Sequence, residues 1–195
     1  IRLLYLYPER IDDALIDEIA NNEKIVKYMD IPLQHCNKNV LKRMNRHGDR
    51  ESLTALLNKI REKIDGVTIR TTFIAGFPGE TEEEFNELCE FVEEMRFERM
   101  GCFAYSEEEG TPAARMKDQL PQEIKEARRD KVMELCQKIS LNRNESMIGK
   151  TVTVITEGFE DNLYYGRSGG ESIEIDPKIY FGAHRDLNPG DFVTV

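Results

Sequence analysis

The chain has 195 residues, 39% of them hydrophobic and 33% charged, enough for one medium domain with a packed core and a small appendage. Its net charge of −10 argues against strong sequence-independent binding of nucleic acid, which depends on a surplus of Lys and Arg, and suits a basic partner better. No apolar run approaches the roughly 20 residues that cross a bilayer, so no membrane association is expected.

The opening IRLLYLYP reads as a strand over residues 2–7, entered in mid-stride and stopped at Pro8, so a longer parent protein is expected. Asp12 or Asp13 then caps a helix with Leu15, Ile16 and Ile19 on one face. VKYMDIPL (26–33) is the second strand. Asn37 can cap the helix after it, which carries Val40, Leu41 and Met44. A longer helix follows, with Leu53, Leu57, Ile60 and Ile64 at i, i+4, i+7 and i+11. Residues 67–75 form the third strand. Thr81 and Glu84 make a capping box that opens a helix with Phe85, Leu88, Val92 and Met95 inward. Residues 99–105 are the fourth strand. A long polar helix over 121–146 starts near Pro121 and carries Val132, Leu135, Cys136 and Ile139 on a stripe.

Strands alternating with helices at about 30-residue spacing predict βαβ units and a parallel α/β sheet. Four units in sequence order, over residues 1–147, make an open half of a (β/α) barrel whose inner face is exposed. From Ile148 the texture changes to short β-like runs, TVTVITEGF, NLYYGRS, SIEID, KIYF and DFVTV, separated by Gly, Asp, Asn and Pro. Residues 148–195 are therefore a small all-β barrel, expected to be cut short inside its last strand.

Ligands of parallel sheets sit at the carboxyl ends of the strands. PLQH (32–35), GFPGE (76–80) and YSEEEGT (105–111) all fall there. In RTTFIAGFPGETEEEF (70–85), Arg70, Thr72, Ile74 and Gly76 share one face by the strand period of two. Gly76 and Gly79 permit backbone conformations closed to other residues. Such a wall suits a ligand with a carboxylate at one end and a flat apolar ring at the other; a tight turn with a buried, paired Arg70 fits the same residues. Glu80 reads as a helix-start carboxylate. Gln34 and His35 can reach a ligand, although a lone loop histidine is more often an ordinary hydrogen-bonding residue. The acidic runs 82–84 and 107–109 read as solvated. Cys36, Cys89, Cys102 and Cys136 show no CxxC or CxxxCxxC spacing; they read as buried thiols rather than disulfides or metal ligands, with the cytosol as the expected compartment.

Taken together, YMDIPLQH (28–35), VLKRMNR (40–46), RTTFIAGFPGET (70–81) and FAYSEEEGTPAARM (103–116) resemble the methylthiotransferase family of radical S-adenosylmethionine enzymes. The module from Ile148 looks like that family's TRAM domain, an OB-like barrel, so the resemblance spans essentially the whole chain. DIPLQH, YSEEEGTPA and GRSGGESIEID (166–176) are most similar to the branch that modifies an aspartate of ribosomal protein S-twelve; another branch modifies an adenosine of transfer RNA. Residues 148–195 hold four cations against eight carboxylates, which fits a basic protein better than RNA.

The resemblance implies S-adenosylmethionine and two iron–sulfur clusters in the intact enzyme. Its partners would be ribosomal protein S-twelve or the small ribosomal subunit, a reductant and a sulfur donor. The family's chemistry is reductive cleavage to a deoxyadenosyl radical, hydrogen abstraction, and transfer of sulfur and methyl. The family's CxxxCxxC does not occur here, and the first recognisable unit looks like the barrel's third strand. The chain alone is therefore expected to bind no cofactor and to be inactive. Residue by residue, the resemblance places Ile74 near the adenine, lets backbone come close at Gly76 and Gly79, and sets Phe103 and Tyr105 on the strand that meets the adenine edge. Gln34 and Thr72 join this cofactor set, and strand parity aims Arg70 at the methionyl carboxylate. No catalytic residue is assigned. A transfer-RNA methylthiotransferase, or a catalytically dead scaffold that presents the TRAM module to the ribosome, are the rival readings.

Overall fold

Three parallel strands order the first part of the chain: β1 (Tyr28–Asp30), β2 (Thr68–Ala75) and β3 (Arg99–Ala104), neighbours in that sequence. The structure is a computed structural model and describes residues 1–195. Pairing runs Tyr28 to Thr68, Asp30 to Arg70, Thr72 to Gly101 and Ile74 to Phe103. Partnered residues of parallel strands point the same way, so Tyr28, Asp30, Arg70, Thr72, Ile74, Arg99 and Phe103 share one inner face. The opposite face, with Met29, Ile69, Phe73 and Ala75, is fully buried beneath the helices. There Phe73 meets Phe91 and Phe97 edge-on at 6.4 and 5.7 Å.

The helices begin where their capping residues stand. Asp12 accepts from the Leu15 N–H at the head of α1 (Asp13–Asn21), and Asn37 caps α2 (Lys38–Arg43). Asp49 with Ser52 opens α3 (Arg50–Lys63), and Thr81 with Glu84 opens α4 (Glu82–Met95), each through a reciprocal capping box. The last helix, α5 (Gln122–Ser146), packs on α4, β2 and β3.

The expected first strand, residues 2–7, is reduced to a single parallel bridge from Leu3 to Met29. Tyr5 has φ +59°, and its N–H turns to the Asp30 carboxylate at 3.2 Å instead of continuing the ladder. The segment still lies along the free edge of β1, so sequence order is kept. The second strand is short because Pro32 supplies no N–H; pairing resumes at Gln34, whose φ is +68°.

Beyond α5, four antiparallel strands form a second sheet in the order β6-β5-β4-β7: β4 (Thr153–Glu160), β5 (Leu163–Arg167), β6 (Ile179–Phe181) and β7 (Phe192–Thr194). Asp161 and Asn162, with φ of +51° and +63°, form the two-residue turn that a tight hairpin between β4 and β5 requires. Val154, Phe181 and Leu187 make its small core.

SIEID, expected as a β-like run, is no strand but a turn. Its isoleucines face outward with Glu174, Ile173 and Ile175 being 56% and 53% exposed, while Asp176 and the preceding Glu171 turn inward. The reason lies across the domain interface. Arg99 donates to Glu171 at 2.6 Å, the Tyr28 hydroxyl donates to Asp176 at 2.9 Å, and Arg2 donates to the Gly169 carbonyl at 3.1 Å. Tyr28 and Arg99 are the first residues of β1 and β3, so this turn closes the amino end of the inner face.

Candidate cofactor cleft

At the carboxyl ends of the strands, the GFPGE turn is held by its own last residue. The Glu80 carboxylate, fully buried, accepts from the Gly76 N–H at 3.0 and 3.1 Å and from Arg128 of α5 at 2.8 Å. His35 stands on its other side, Nε2 3.5 Å away. The Asn37 N–H donates to His35 Nδ1, which leaves the ring proton on Nε2, facing Glu80. Glu80 is thus not a simple helix-start carboxylate. It ties its own turn and the loop carrying His35 to α5, and Arg128 supplies the opposite charge that a buried carboxylate requires.

Gly76 has φ +75°, and a Cβ there would sit 2.7 Å from the Lys125 side chain and 2.9 Å from its Cα. The bare backbone at this point lets α5 close on the turn. Gly79 has φ +74°, but its Cβ direction is open, with Arg43 and Asp118 at 3.7 Å.

Above the inner face lies a cleft of about 480 Å³ lined by Gln34, Thr72, Ile74, Phe77, Phe103 and Tyr105. It continues past Gln34, Ile74 and Phe77 into a second lobe of about 470 Å³ that carries Arg43 and Arg46. Both volumes suit a small-molecule ligand. Phe77 and Tyr105 pack edge-on at 5.1 Å, and Lys125 lies 5.0 Å over the Tyr105 ring. Burial, then Glu107, pushes the Tyr105 hydroxyl above its ordinary range. The Gln34 Oε1 is buried without a hydrogen-bond partner, a polar atom left for a ligand.

The cleft therefore gathers five of the residues singled out by sequence: Gln34, Thr72, Ile74, Phe103 and Tyr105. Arg70 lies lower on the same face, paired with buried Asp30 at 3.3 Å. Gly76 and Gly79 shape the turn behind the cleft instead of lining it. Phe77, Arg46 and the Arg128–Glu80 pair escaped sequence reasoning. For Arg46 a signal was present in KRMNR, three cations within five residues at the end of α2.

Apolar Ile74, Phe77 and Phe103 offer a flat ring a dry wall, and Gln34 and Thr72 offer hydrogen bonds beside it, so these residues fit the adenosyl part of S-adenosylmethionine. An iron–sulfur cluster is a different matter. It needs thiolates at fixed spacing, whereas Cys36 and Cys102 are buried neutral thiols. Burial pushes Cys102 up to about 12 and Cys89 up to about 11. No three His, Cys, Asp or Glu side chains converge on a metal position, and the residues of this chain do not fit a cluster.

Residues 4–92 match the family model of the Radical SAM superfamily, and residues 148–195 match the TRAM domain. The chain carries a radical SAM segment and a TRAM domain. Its radical SAM segment takes in β1, β2 and most of α4, and β3 continues the same sheet. Over 195 residues the chain is 52% identical to the ribosomal protein uS12 methylthiotransferase RimO of Caldanaerobacter subterraneus subsp. tengcongensis. It is 50% identical to the protein of the same name from Clostridium novyi; the match covers all of this chain and 44% of each relative. Among solved structures it is similar to coproporphyrinogen III oxidase (HemN) of Escherichia coli, a radical SAM enzyme, with TM-score 0.55 and 23% identity over 73% of this chain and 32% of that one. That likeness speaks for the fold of the radical SAM sheet alone. No helix is long and apolar enough to cross a membrane.

Proposed function

We propose that this chain is part of a radical SAM methylthiotransferase that adds a methylthio group to an aspartate of ribosomal protein S-twelve in the cytoplasm. The observation that carries the reading is identity of about half over the full length of the chain to RimO proteins, through both the radical SAM and TRAM parts. The chain spans 44% of those relatives, so the residues for two iron–sulfur clusters belong to the remainder of the intact protein, with a reductant and a sulfur donor as further partners.

When bound, S-adenosylmethionine with its cluster supplies the radical chemistry and the transferred methyl group. This chain's own part is positioning and exclusion of water. Ile74, Phe77 and Phe103 would pack on the adenine, and Gln34 and Thr72 would offer it hydrogen bonds. The Glu80–Arg128 pair keeps the turn above Gly76 in place, and the paired Arg70 and Asp30 fill the inner face beneath.

The test is anaerobic turnover by the intact protein with S-adenosylmethionine, a reductant and purified ribosomal subunits, read by mass spectrometry of S-twelve peptides. A methylthio group on one aspartate is expected. Modification of transfer-RNA adenosine with S-twelve untouched would replace this reading by the RNA one.

A further inference from the structure

The acidic run that follows β3 is not uniform. Glu107 is answered by Lys125 of α5 at 3.8 Å, and Glu109 stands clear in solvent. Glu108 differs from both. It borders the cleft lobe of about 480 Å³ and is the one charged residue among those that line it. No cation of the chain pairs with its carboxylate. The backbone beneath it is fixed, because the Glu108 carbonyl accepts from the Thr111 N–H at 3.2 Å and from the Thr111 hydroxyl at 2.8 Å. That hydroxyl in turn accepts from the Ala114 N–H at 3.3 Å, and Gly110, with φ +83°, completes the turn. The run as a whole reads as solvated, but Glu108 is a carboxylate held without a cation on the rim of a cleft.

A second acceptor in the same wall also lacks a partner. Tyr105 is 7% exposed and lines the lobe with Glu108, and its buried hydroxyl makes no hydrogen bond. Gln119 lies near it, but no bond closes between them. Burial, then Glu107 and, more weakly, Glu108 keep this phenol neutral, so its oxygen can accept from a cationic donor. Phe77 and Phe103 form the apolar part of the lobe and lower the local dielectric, which strengthens any pair made there. A metal ion does not suit the place, since no three ligating side chains converge on a position. Nucleic-acid phosphate would be repelled. A long cationic side chain fits, with its methylenes on the apolar wall and its head at the carboxylate.

We propose that Glu108 is a specificity-determining residue of the cleft, receiving a lysine or arginine side chain of the substrate polypeptide with the Tyr105 hydroxyl as a second acceptor. The inference rests on the function proposed above, whose target is a basic ribosomal protein, and it concerns the substrate, not the cofactor.

The experiment is steady-state methylthiolation of purified ribosomal protein S-twelve by the intact protein and its Glu108→Gln, Glu108→Lys and Glu109→Gln variants. The substrate is used unaltered and with each Lys or Arg flanking the target aspartate replaced singly by Gln. Loss of one ion pair at a cleft rim should raise KM for unaltered S-twelve about 5-fold in Glu108→Gln. Because the pair forms equally in ground and transition states, kcat should hold. Glu108→Lys should raise KM further, and Glu109→Gln should raise it much less. On the one S-twelve variant that lacks the matching cation, wild type and Glu108→Gln should have the same KM, the sign of a direct contact. The thermal midpoint should not move, since the Glu108 side chain makes no bond in the fold. An unchanged KM in Glu108→Gln overturns the inference. So does an equal rise in Glu109→Gln, which marks diffuse attraction, or a rise that persists on every S-twelve variant. Weakened binding of S-adenosylhomocysteine by Glu108→Gln would show the cofactor's ammonium to be the occupant and overturns it too. If the intact wild type leaves S-twelve untouched and modifies transfer RNA, the proposed function falls, and this inference with it.

Discussion

Glu80 and Glu82 both bond to Arg128, yet they should behave differently when altered. Glu80 is fully buried and Glu82 is 68% exposed. Replacing Glu80 by Gln leaves the buried Arg128 guanidinium only the exposed Glu82 as counter-charge and weakens the hold on the Gly76 N–H, a loss of about 3 kcal/mol. Glu82→Gln removes a pair that water already screens, and it should leave the urea midpoint unchanged within error. The two glycines of the turn divide in the same way. Gly79→Ala meets only the left-handed backbone cost of about 1 kcal/mol, because its Cβ has room. Gly76→Ala adds a collision with the Lys125 backbone and should be the more damaging of the two by at least about 1 kcal/mol in the same unfolding assay. The thiols give a pH signature. Burial raises all four, with Cys89 at about 11 and Cys102 at about 12. A group whose folded value is raised contributes stability below its unfolded value and loses it as pH climbs. The urea midpoint should therefore hold up to about pH 8.5 and fall between pH 9 and 11, by about 1.4 kcal/mol per pH unit for each thiol ionised only in the unfolded chain. A flat midpoint over that window would contradict the burial of these thiols.

At the level of elements, capping residues and hydrophobic spacing made most of the first part legible before any coordinates. Asp12, Asn37 and the Thr81–Glu84 box each start a helix where the sequence placed it. Local chemistry decides those starts, so local reading finds them. The gathering of Gln34, Thr72, Ile74, Phe103 and Tyr105 in one cleft was legible for the same reason, since all follow from strand parity and strand ends. What was not legible depends on partners far along the chain. The Glu80–Arg128 pair spans 48 residues and Arg99–Glu171 spans 72, and neither leaves a mark in its own segment. SIEID shows the sharpest failure. Its alternation is that of a half-buried strand with isoleucine inward, but Arg99 and Tyr28 draw Glu171 and Asp176 in at its two ends and leave Ile173, Glu174 and Ile175 on the outside of a turn. The turn therefore behaves as a clasp between the two sheets. Arg99→Gln leaves Glu171 buried beside only the Ser168 N–H and hydroxyl and should cost about 3 kcal/mol. Limited proteolysis between α5 and β4 should accelerate in that variant. Unchanged cleavage there would show that the clasp does not hold the second domain.

At the level of the whole molecule, the clasp changes how the acidic character of the TRAM domain acts. Glu171, Glu174 and Asp176 are among the eight carboxylates whose excess over cations in residues 148–195 suggested a basic protein as partner. Glu171 and Asp176 point instead into the interface with Arg99 and Tyr28, so their charge is largely spent inside the protein. Glu174, Asp161 and Asp186 remain exposed, and these are the carboxylates a partner would feel. Attraction between exposed charges acts mainly on association rate, and salt screens it over about 8 Å at physiological ionic strength. Reversing Glu174, Asp161 and Asp186 to Lys in the intact protein should slow association with ribosomal protein S-twelve several-fold at low salt. The difference from wild type should shrink as salt rises, and the thermal midpoint should stay where it was. Reversing Glu171 and Asp176 should do the opposite, lowering the thermal midpoint because two like charges would then face Arg99. Stopped-flow association and melting curves on both variants separate the two roles. If the outer reversals leave the association rate and its salt dependence untouched, long-range charge on this domain plays no part in choosing the substrate. Recognition would then fall to short-range contacts such as those of the exposed Phe159 and Phe192.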